Sequence, residues 1–177
     1  MWRAVAIRYK IPVRDNLCRR LYDCSAGIGS AELRMKIVLA SDHGGYQLKE
    51  GVKAALEKQG HEIVDLGTDS EASVDYPVFG KLAGEYVASG QAERGIAFCG
   101  TGIGIAMAAN KVHGIRCATA LSDECARLAS AHNHANMLAL GGRIASLEDA
   151  LRYIAIWLDT PWDEGRHDRR VEQLNGM

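Results

Sequence analysis

Short apolar runs alternate with amphipathic segments along most of the chain. Five runs have the length and continuous apolar character of buried strands: 36–41, 61–67, 94–99, 116–122 and 137–141. The segments between them place apolar residues at helical spacing: 46–59, 78–89, 103–112, 123–131 and 146–158. Strands apolar on both faces and separated by helices are typical of a parallel sheet covered on both sides. The pattern therefore predicts one doubly wound, three-layer α/β/α domain with a five-stranded parallel sheet.

The loops that follow the strands are where a ligand is expected, because open parallel sheets bind ligands outside the carboxyl ends of their strands. The turn 75–77 is expected to reach the same edge of the sheet. The candidate segments are 42–45, 99–104, 122–123 and 141–143.

Composition narrows the classes of function. A net charge of −1 and an aromatic content of 6% favour neither nucleic acid nor an anionic membrane as a partner. The chain has no apolar stretch long enough to span a bilayer. Five cysteines, an odd number without a Cys-x-x-Cys pair, indicate free thiols in a reducing compartment. We therefore expect a cytoplasmic protein.

The first 34 residues differ from the rest. They hold seven Lys/Arg against three Asp/Glu, whereas the remaining 143 residues hold fourteen against nineteen. We predict that residues 1–34 are a leader outside the native fold; the alternative is an N-terminal extension that packs on the domain. The functional domain would then be 35–177, starting with the strand after Met35.

Cys99 ends a predicted strand, and a glycine-rich turn follows it. In one interpretation it is a small buried hydrophobe. In another, backbone N–H groups at the start of the next helix stabilise a thiolate that acts as a nucleophile or base. Gly102 and Gly104 also match part of a Rossmann-like dinucleotide fingerprint, with Asp123 about 20 residues on, but Met107 stands where its third small residue belongs. In a third interpretation, the glycine turn binds an anion smaller than a dinucleotide.

Histidines and arginines supply the remaining candidates. His43 follows Asp42, and this pair fits either acid–base chemistry or a capping turn. The His132-x-His134 pair lacks a third ligand at zinc-like spacing, so no metal is expected. Arg166 and Arg170 would share one side of a helix and could hold a phosphate, or they could be a solvated surface.

From Met35 onward the chain resembles type B ribose-5-phosphate isomerases and the related galactose-6-phosphate isomerase subunits. Ordered blocks carry the likeness: Ser41–Gly45, Asp75–Pro77, Cys99–Gly104 with Asn110-Lys111, Gly114–Arg116, His132-Asn133, Gly142-Arg143 and Gly165–His167 with Arg170. The resemblance implies a cofactor-free aldose–ketose isomerase of the pentose phosphate pathway. It also implies a homodimer or dimer of dimers with sites between subunits.

The resemblance assigns roles by position. Cys99 would be the base of an enediolate mechanism, with Thr101 and the amides of Gly100, Gly102 and Gly104 around the oxyanion. Asp42 and His132 would open the sugar ring. Sugar and phosphate contacts would come from the remaining matched positions: His43, Tyr76, Asn133, Arg143, Arg166, His167 and Arg170. His132, Asn133 and Arg143 would reach across from the partner chain.

Three alternatives stay open. The isomerase could prefer another phosphate, of a tetrose, allose or galactose. The chain could be a non-catalytic sugar-phosphate-binding subunit. It could also be a nucleotide-dependent oxidoreductase, as the partial glycine fingerprint allows.

Overall fold

The computed structural model describes residues 34–177 and shows a parallel sheet with helices on both faces. The strands are β1 Lys36–Ser41, β2 Glu62–Asp65, β3 Arg94–Cys99, β4 Cys117–Thr119 and β5 Met137–Gly141, in the order β2-β1-β3-β5-β4. The helices are α1 Tyr46–Lys58, α2 Tyr76–Ala88, α3 Ile103–Ala109, α4 Asp123–Ala131, α5 Leu147–Asp159 and α6 Asp168–Asn175; a 3₁₀ turn, Gly165–His167, precedes α6. The predicted leader falls outside the described residues except for Arg34, so it stays a prediction.

Two apolar layers hold the helices to the sheet. On one face, Leu39 and its neighbours pack against apolar residues of α1, α4 and α5, including Trp157. On the other face, Val38 and Ala97 pack against α2 and α3 through residues such as Ile105. All of these side chains are buried, so each central strand is covered on both sides. The predicted three-layer α/β/α fold is confirmed.

Most predicted elements agree with the observed ones to within two residues at each end, although the helix predicted over 103–112 already ends at Ala109. The strand predicted over 61–67 is shorter, because the chain turns at Gly67, where φ is +96°. The strand predicted over 116–122 is reduced to β4, which pairs only with β5. A side-chain cap begins α5, since the Ser146 hydroxyl accepts a hydrogen bond from the N–H of Asp149 at 3.1 Å.

The strand order places a crevice at one point of the sheet. The chain moves from β1 outward to β2 and then crosses to β3 on the other side of β1. Ser41 lies opposite Phe98 in this pairing, so the residues after β1 and after β3 leave the sheet side by side. This reversal is where doubly wound folds bind ligands. Among residues 34–177, no helix combines the length and apolar character needed to cross a membrane.

Candidate active site

The Cys99 sulfur lies at the end of β3 and is held by the loop that follows it. Its Sγ accepts a hydrogen bond from the backbone N–H of Gly102 at 3.1 Å. The residue is buried, with 4% of its surface exposed. A backbone N–H aimed at the sulfur is an arrangement found at reactive cysteines that begin a turn into a helix.

The other two cysteines in the described part of the chain differ from Cys99. Burial raises the pKa of the Cys117 thiol to about 12, which keeps that thiol neutral at physiological pH. Cys125 is exposed on the surface of α4. Of these three thiols, Cys99 alone accepts a backbone N–H in a turn at the carboxyl edge of the sheet.

Asp42 and His43 follow β1 beside this turn. The Asp42 carboxylate is buried, and its Oδ1 accepts a hydrogen bond from the Gly45 N–H at 3.0 Å. Its own N–H donates to the Phe98 carbonyl at 3.1 Å, which ties the end of β1 to the end of β3. His43 is half-buried, and its Nδ1 accepts a hydrogen bond from the Val74 N–H at 3.2 Å. Asp42 therefore closes the turn after β1. As the first residue after that strand, it lies at the crevice between β1 and β3.

Two glycines of the turn are needed for the shape of this site. Gly102 has φ +78°, and a Cβ there would lie 2.9 Å from the Leu140 carbonyl carbon. A Cβ on Gly104 would lie 2.8 Å from Cζ of the Tyr76 ring. The ring of Tyr76 therefore lies directly against the glycine turn, as the sequence predicted for the loop at 75–77. The Thr101 hydroxyl accepts a hydrogen bond from the N–H of Ile103 at 3.3 Å.

The loop after β5 completes this edge. The N–H of Gly142 donates to the Cys99 carbonyl at 2.8 Å, and the N–H of Arg143 donates to the Gly100 carbonyl at 3.0 Å. A Cβ on Gly100 would lie 3.3 Å from Nη1 of Arg143, so the guanidinium lies over this glycine. The expectation that Arg143 reaches this turn from another chain is wrong, because its own backbone hydrogen bonds place it there.

We call the predicted site residues at this edge of the sheet the glycine-turn cluster. Their side chains or backbone line one edge of the sheet, where β1, β3 and β5 end. The members are Asp42, His43, Tyr76, Cys99, Gly100, Thr101, Gly102, Gly104 and Arg143.

The remaining predicted site residues form a second group, the histidine–arginine cluster. His132 follows the last residue of α4, and its ring stacks on that of His167 with centroids 4.3 Å apart. The Nε of Arg166 donates a hydrogen bond to Nε2 of His167 at 3.2 Å. Besides these three, the cluster contains Asn133, Asp163 and Arg170.

The histidine–arginine cluster is rich in basic side chains. Burial lowers the pKa of His167, and the nearby His132, Arg166 and Arg170 lower it further. The sequence placed both arginines on one α-helix; instead Arg166 belongs to the 3₁₀ turn and only Arg170 to α6. Both still lie close enough to His167 to act on its titration. The cluster therefore suits an anionic group such as a phosphate.

The two clusters lie at opposite edges of the sheet. The helix α4 starts after the carboxyl end of β4 and runs back, so its last turn lies near the start of β5. Arg116, which precedes β4, fixes the loop at this amino edge by donating to the carbonyls of Asn133 and His134. The glycine-turn cluster is at the carboxyl edge. One chain by itself does not bring all of the predicted site residues together.

Tertiary contacts also add a residue that the sequence analysis missed. The N–H of Asp163 donates to the Ala131 carbonyl at 3.0 Å, and its Oδ2 lies 3.6 Å from Nε2 of His132. The sequence holds one hint of a role for Asp163, since it lies three residues before Arg166, a predicted phosphate ligand. No metal was expected because His132 and His134 had no third ligand. The structure brings His132 close to Asp163 and His167, and the expectation that no metal binds stays a prediction.

A thiol, a carboxylate and backbone donors at the topological switch point of an α/β sheet suit acid–base or nucleophilic chemistry. The sequence model of the Ribose/Galactose Isomerase family matches residues 37–174. The chain belongs to this family.

Individual relatives agree with this assignment. Ribose-5-phosphate isomerase B of Escherichia coli (strain K12) is 39% identical over 142 residues, which are 80% of this chain and 95% of that protein. The solved ribose-5-phosphate isomerase B of Clostridium thermocellum is 48% identical with a TM-score of 0.79, covering 80% of this chain and 96% of that one. The enzyme of Mycoplasma genitalium, solved with bound ribulose-5-phosphate, is 36% identical with a TM-score of 0.76, covering 80% and 94%.

Proposed function

We propose that this protein interconverts D-ribose 5-phosphate and D-ribulose 5-phosphate through an enediolate, without a cofactor. The observation that carries the proposal is the Cys99 sulfur, held by the N–H of Gly102 at the sheet's switch point. Membership of the family and the ribulose-5-phosphate bound to one relative support this choice of substrate. The reaction belongs to the pentose phosphate pathway, and a cytoplasmic location agrees with the free thiols.

Cys99 acts as the base in this scheme. Its thiolate removes the proton from C2 of the open-chain aldose, and the resulting thiol returns a proton to C1. The hydroxyl proton moves from O2 to O1, so the two sugars have the same composition. General base catalysis by a positioned group accounts for about 10²–10⁴ in rate.

The turn beside Cys99 stabilises the charge that develops on the substrate oxygens. In this scheme the oxyanion accepts hydrogen bonds from the Thr101 hydroxyl and from backbone N–H groups of the Gly100–Gly104 turn other than that of Gly102, which donates to the Cys99 sulfur. Donors that are already in place need no reorganisation during the reaction, which is why such oxyanion sites are effective. Asp42 assists the opening of the sugar ring. The aromatic ring of Tyr76 forms one wall of the sugar-binding site.

A second copy of the chain completes the site in this proposal. The phosphate-binding arginines Arg166 and Arg170 and the ring-opening His132 lie at the far edge of the sheet from Cys99. Apolar side chains of α2 and α3 are exposed near the glycine turn: Val78 63%, Leu82 41%, Ile103 47% and Met107 63%. A symmetric dimer that buries this surface would bring the histidine–arginine cluster of one copy to the glycine-turn cluster of the other.

Mixing of inactive variants tests the shared site. We expect Cys99→Ala and His132→Ala to be inactive alone and to regain activity after they are unfolded and refolded together. Random pairing makes half of the dimers mixed, each with one intact site, so about a quarter of the wild-type activity should return. Failure to regain activity, with mixed dimers demonstrated by mass spectrometry, would contradict the shared site.

The activity is tested with purified protein and a panel of sugar phosphates, in chelator and without nucleotide. Ribose 5-phosphate should give the highest kcat/KM among tetrose, pentose, allose and galactose phosphates. A higher value for galactose 6-phosphate would assign the chain to the other branch that the family description covers. Binding of sugar phosphate without turnover would identify a non-catalytic subunit instead.

We propose that residues 1–34 are a leader or extension outside this catalytic domain. The support is their excess of basic residues and the family match, which covers residues 37–174. Mass spectrometry of the protein from its native source tests this proposal, since a native N-terminus at Met1 would contradict a leader that is removed or never translated.

A further inference from the structure

We propose that Arg116 is a positioning residue of the isomerase. Its guanidinium holds the loop that carries His132 and Asn133 at a fixed spacing from α6, the helix that carries Arg170. In the proposed function this loop acts on the sugar, and the helix binds the phosphate of the same substrate molecule. The role of Arg116 rests on that function and adds a residue that does not itself touch the substrate.

The loop after α4 receives three hydrogen bonds from Arg116. Its Nε donates to the carbonyl oxygens of Asn133 at 3.2 Å and of His134 at 3.0 Å, and its Nη2 donates to the same His134 oxygen at 2.7 Å. Neither residue belongs to a helix or a strand, so neither carbonyl has a partner in a regular backbone ladder. One rigid, planar group therefore supplies the donors for two neighbouring carbonyls.

The backbone of His134 has a conformation that needs such support. Its φ is +45°, in the left-handed region that a residue with a Cβ rarely adopts. The His134 N–H donates to the Ser130 carbonyl at 3.0 Å, so the histidine ends α4 at a position where glycine is usual. The carbonyls of Asn133 and His134 belong to the two peptide groups that flank this Cα. Because Arg116 binds both, it fixes the left-handed turn from both sides.

The same guanidinium also reaches α6. Its Nη1 donates to Oδ1 of Asn175, the last residue of that helix, at 2.6 Å. All three guanidinium nitrogens of Arg116 thus donate to oxygens of its own chain, which favours a positioning role over direct contact with a phosphate. Arg116 joins the loop of His132 to the helix of Arg170, two segments that are distant in the sequence.

A pair of stacked rings ties the start of α6 to the same loop. The ring of His134 stacks on that of Trp162, with centroids 4.9 Å apart. Nε1 of Trp162 donates to Oδ1 of Asp168, the first residue of α6, at 3.1 Å. Since Arg116 fixes the backbone of His134, both ends of α6 depend on the loop that Arg116 holds.

A substrate that touches both segments is sensitive to the distance between them. Hydrogen bonds to a phosphate depend on distance and direction, and a small misplacement of a binding or reacting group lowers its effect steeply. Loss of the Arg116 contacts should therefore weaken binding and turnover, although every group that touches the substrate is still present.

Calorimetric titration with ribose 5-phosphate tests this role in full-length protein that carries Cys99→Ala to prevent turnover. Adding Arg116→Lys keeps the charge and loses the planar fork, and it should weaken binding by about tenfold, the size of one misplaced hydrogen bond to a charged group. Arg94→Lys is the matched control, because Arg94 starts β3 and its guanidinium donates to the Glu93 carbonyl instead. Thermal unfolding checks that each variant is folded. Equal affinity in folded Arg116→Lys and Arg94→Lys would overturn the proposal.

Asn175→Ala is a second variant, at an exposed side chain, that leaves Arg116 in place. It removes only the hydrogen bond that joins Arg116 to α6, so binding should weaken by about threefold, the size of one neutral hydrogen bond. If Arg116→Lys does not fold, Asn175→Ala decides the question, and unchanged affinity in this variant would contradict the positioning role.

Refolding with inactive variants separates positioning from general damage to the fold. Arg116→Lys refolded with Cys99→Ala should reach about a quarter of the wild-type activity, because one site of each mixed dimer combines an intact Cys99 with an intact Arg116. Refolding with His132→Ala should give no gain, since both changes affect the same cluster. A protomer damaged throughout would gain from neither partner. That result, where Cys99→Ala and His132→Ala do restore each other, would count against the proposal.

The outcomes distinguish this role from the proposed function. Ribose 5-phosphate that binds the wild type without being isomerised, and binds Arg116→Lys more weakly, would contradict the function and leave the positioning role standing. Isomerisation by the wild type with unchanged affinity in Arg116→Lys would overturn the role of Arg116 alone. No binding of ribose 5-phosphate to the wild type would overturn both. Should Cys99→Ala and His132→Ala fail to restore each other, the shared site is contradicted and calorimetry still decides the role of Arg116.

Discussion

The carboxylate of Asp65, at the end of edge strand β2, lies 2.6 Å from Nζ of Lys49, a lysine whose side chain is only 1% exposed. Lys53 adds a second contact to the same carboxylate at 2.9 Å. Burial by itself would raise the pKa of Asp65, but the hydrogen bonds from Lys49 and Lys53 outweigh it and the pKa lies below its ordinary value. This pair fixes α1 against the edge of the sheet, beside the turn that leads from β1 into the site.

Breaking the pair should destabilise the fold. Asp65→Asn leaves the Lys49 ammonium buried with Glu50 as its remaining partner, and we expect a loss of about 3 kcal/mol in the free energy of unfolding. Glu62→Gln is the control, because it breaks the exposed pair with Lys36 and should cost less than about 1 kcal/mol. Urea titration measures both. Equal losses in the two variants would show that burial of Lys49 adds nothing.

Replacing the base should abolish turnover without abolishing binding. We expect Cys99→Ala to lower kcat by about 10²–10⁴, the contribution of a positioned base, while the affinity for substrate changes little. Arg170→Ala should instead mainly raise KM, because it removes a contact that lasts through the reaction. Steady-state kinetics and calorimetry separate the two effects. Cys125→Ala, at an exposed thiol, should behave as wild type, and wild-type turnover in Cys99→Ala would contradict the mechanism.

A side chain at Gly102 would clash with its neighbours and would also strain the backbone. Two alanine variants separate these effects on stability. Gly102→Ala and Gly90→Ala both force alanine into a left-handed conformation, with φ +78° and +74°, which costs about 1–2 kcal/mol. A Cβ on Gly90 meets nothing within 4 Å, whereas one on Gly102 would lie 2.9 Å from the Leu140 carbonyl carbon. We expect Gly102→Ala to be less stable than Gly90→Ala and to lose activity, since the N–H aimed at Cys99 shifts. Equal stability and equal kcat in the two variants would rule out this role for Gly102.

Two histidines should make the fold less stable in mild acid. Burial lowers the pKa of His134 and of His167 below 6.5, with nearby arginines adding to the effect in both cases. The unfolded chain then binds protons at a higher pH than the folded chain, so the free energy of unfolding should fall as the pH drops below about 6.5. Urea titrations at about pH 7.5 and about pH 5.5 measure the slope. The double variant His134→Gln/His167→Gln should show a smaller slope than the wild type, and an unchanged slope would assign it to other groups.

Local sequence signals determined the elements of the fold. The alternation of apolar runs and amphipathic segments predicted all five strands and the helices between them. Each buried strand or helix face needs apolar residues at a regular spacing, and that spacing is visible in a short stretch of sequence. The cap of α5 is local in the same way, because the Ser146 hydroxyl needs only a nearby backbone donor, the N–H of Asp149. The position of Cys99 at the end of an apolar run and before glycines identified the turn at the switch point, since strand ends of a parallel sheet meet at one edge.

Only the tertiary structure decided which of the candidate residues lie together. The sequence could not show that β3 lies between β1 and β5, so that the loops after these three strands meet at one place, because strand order depends on packing between distant segments. Nor could it show that Arg143 lies over Gly100 of its own chain, or that Asp163 and His167 flank His132, since these contacts join separate loops. The chain's local pattern defines strands and helices, whereas the site's geometry comes from long-range packing that no short stretch of sequence contains.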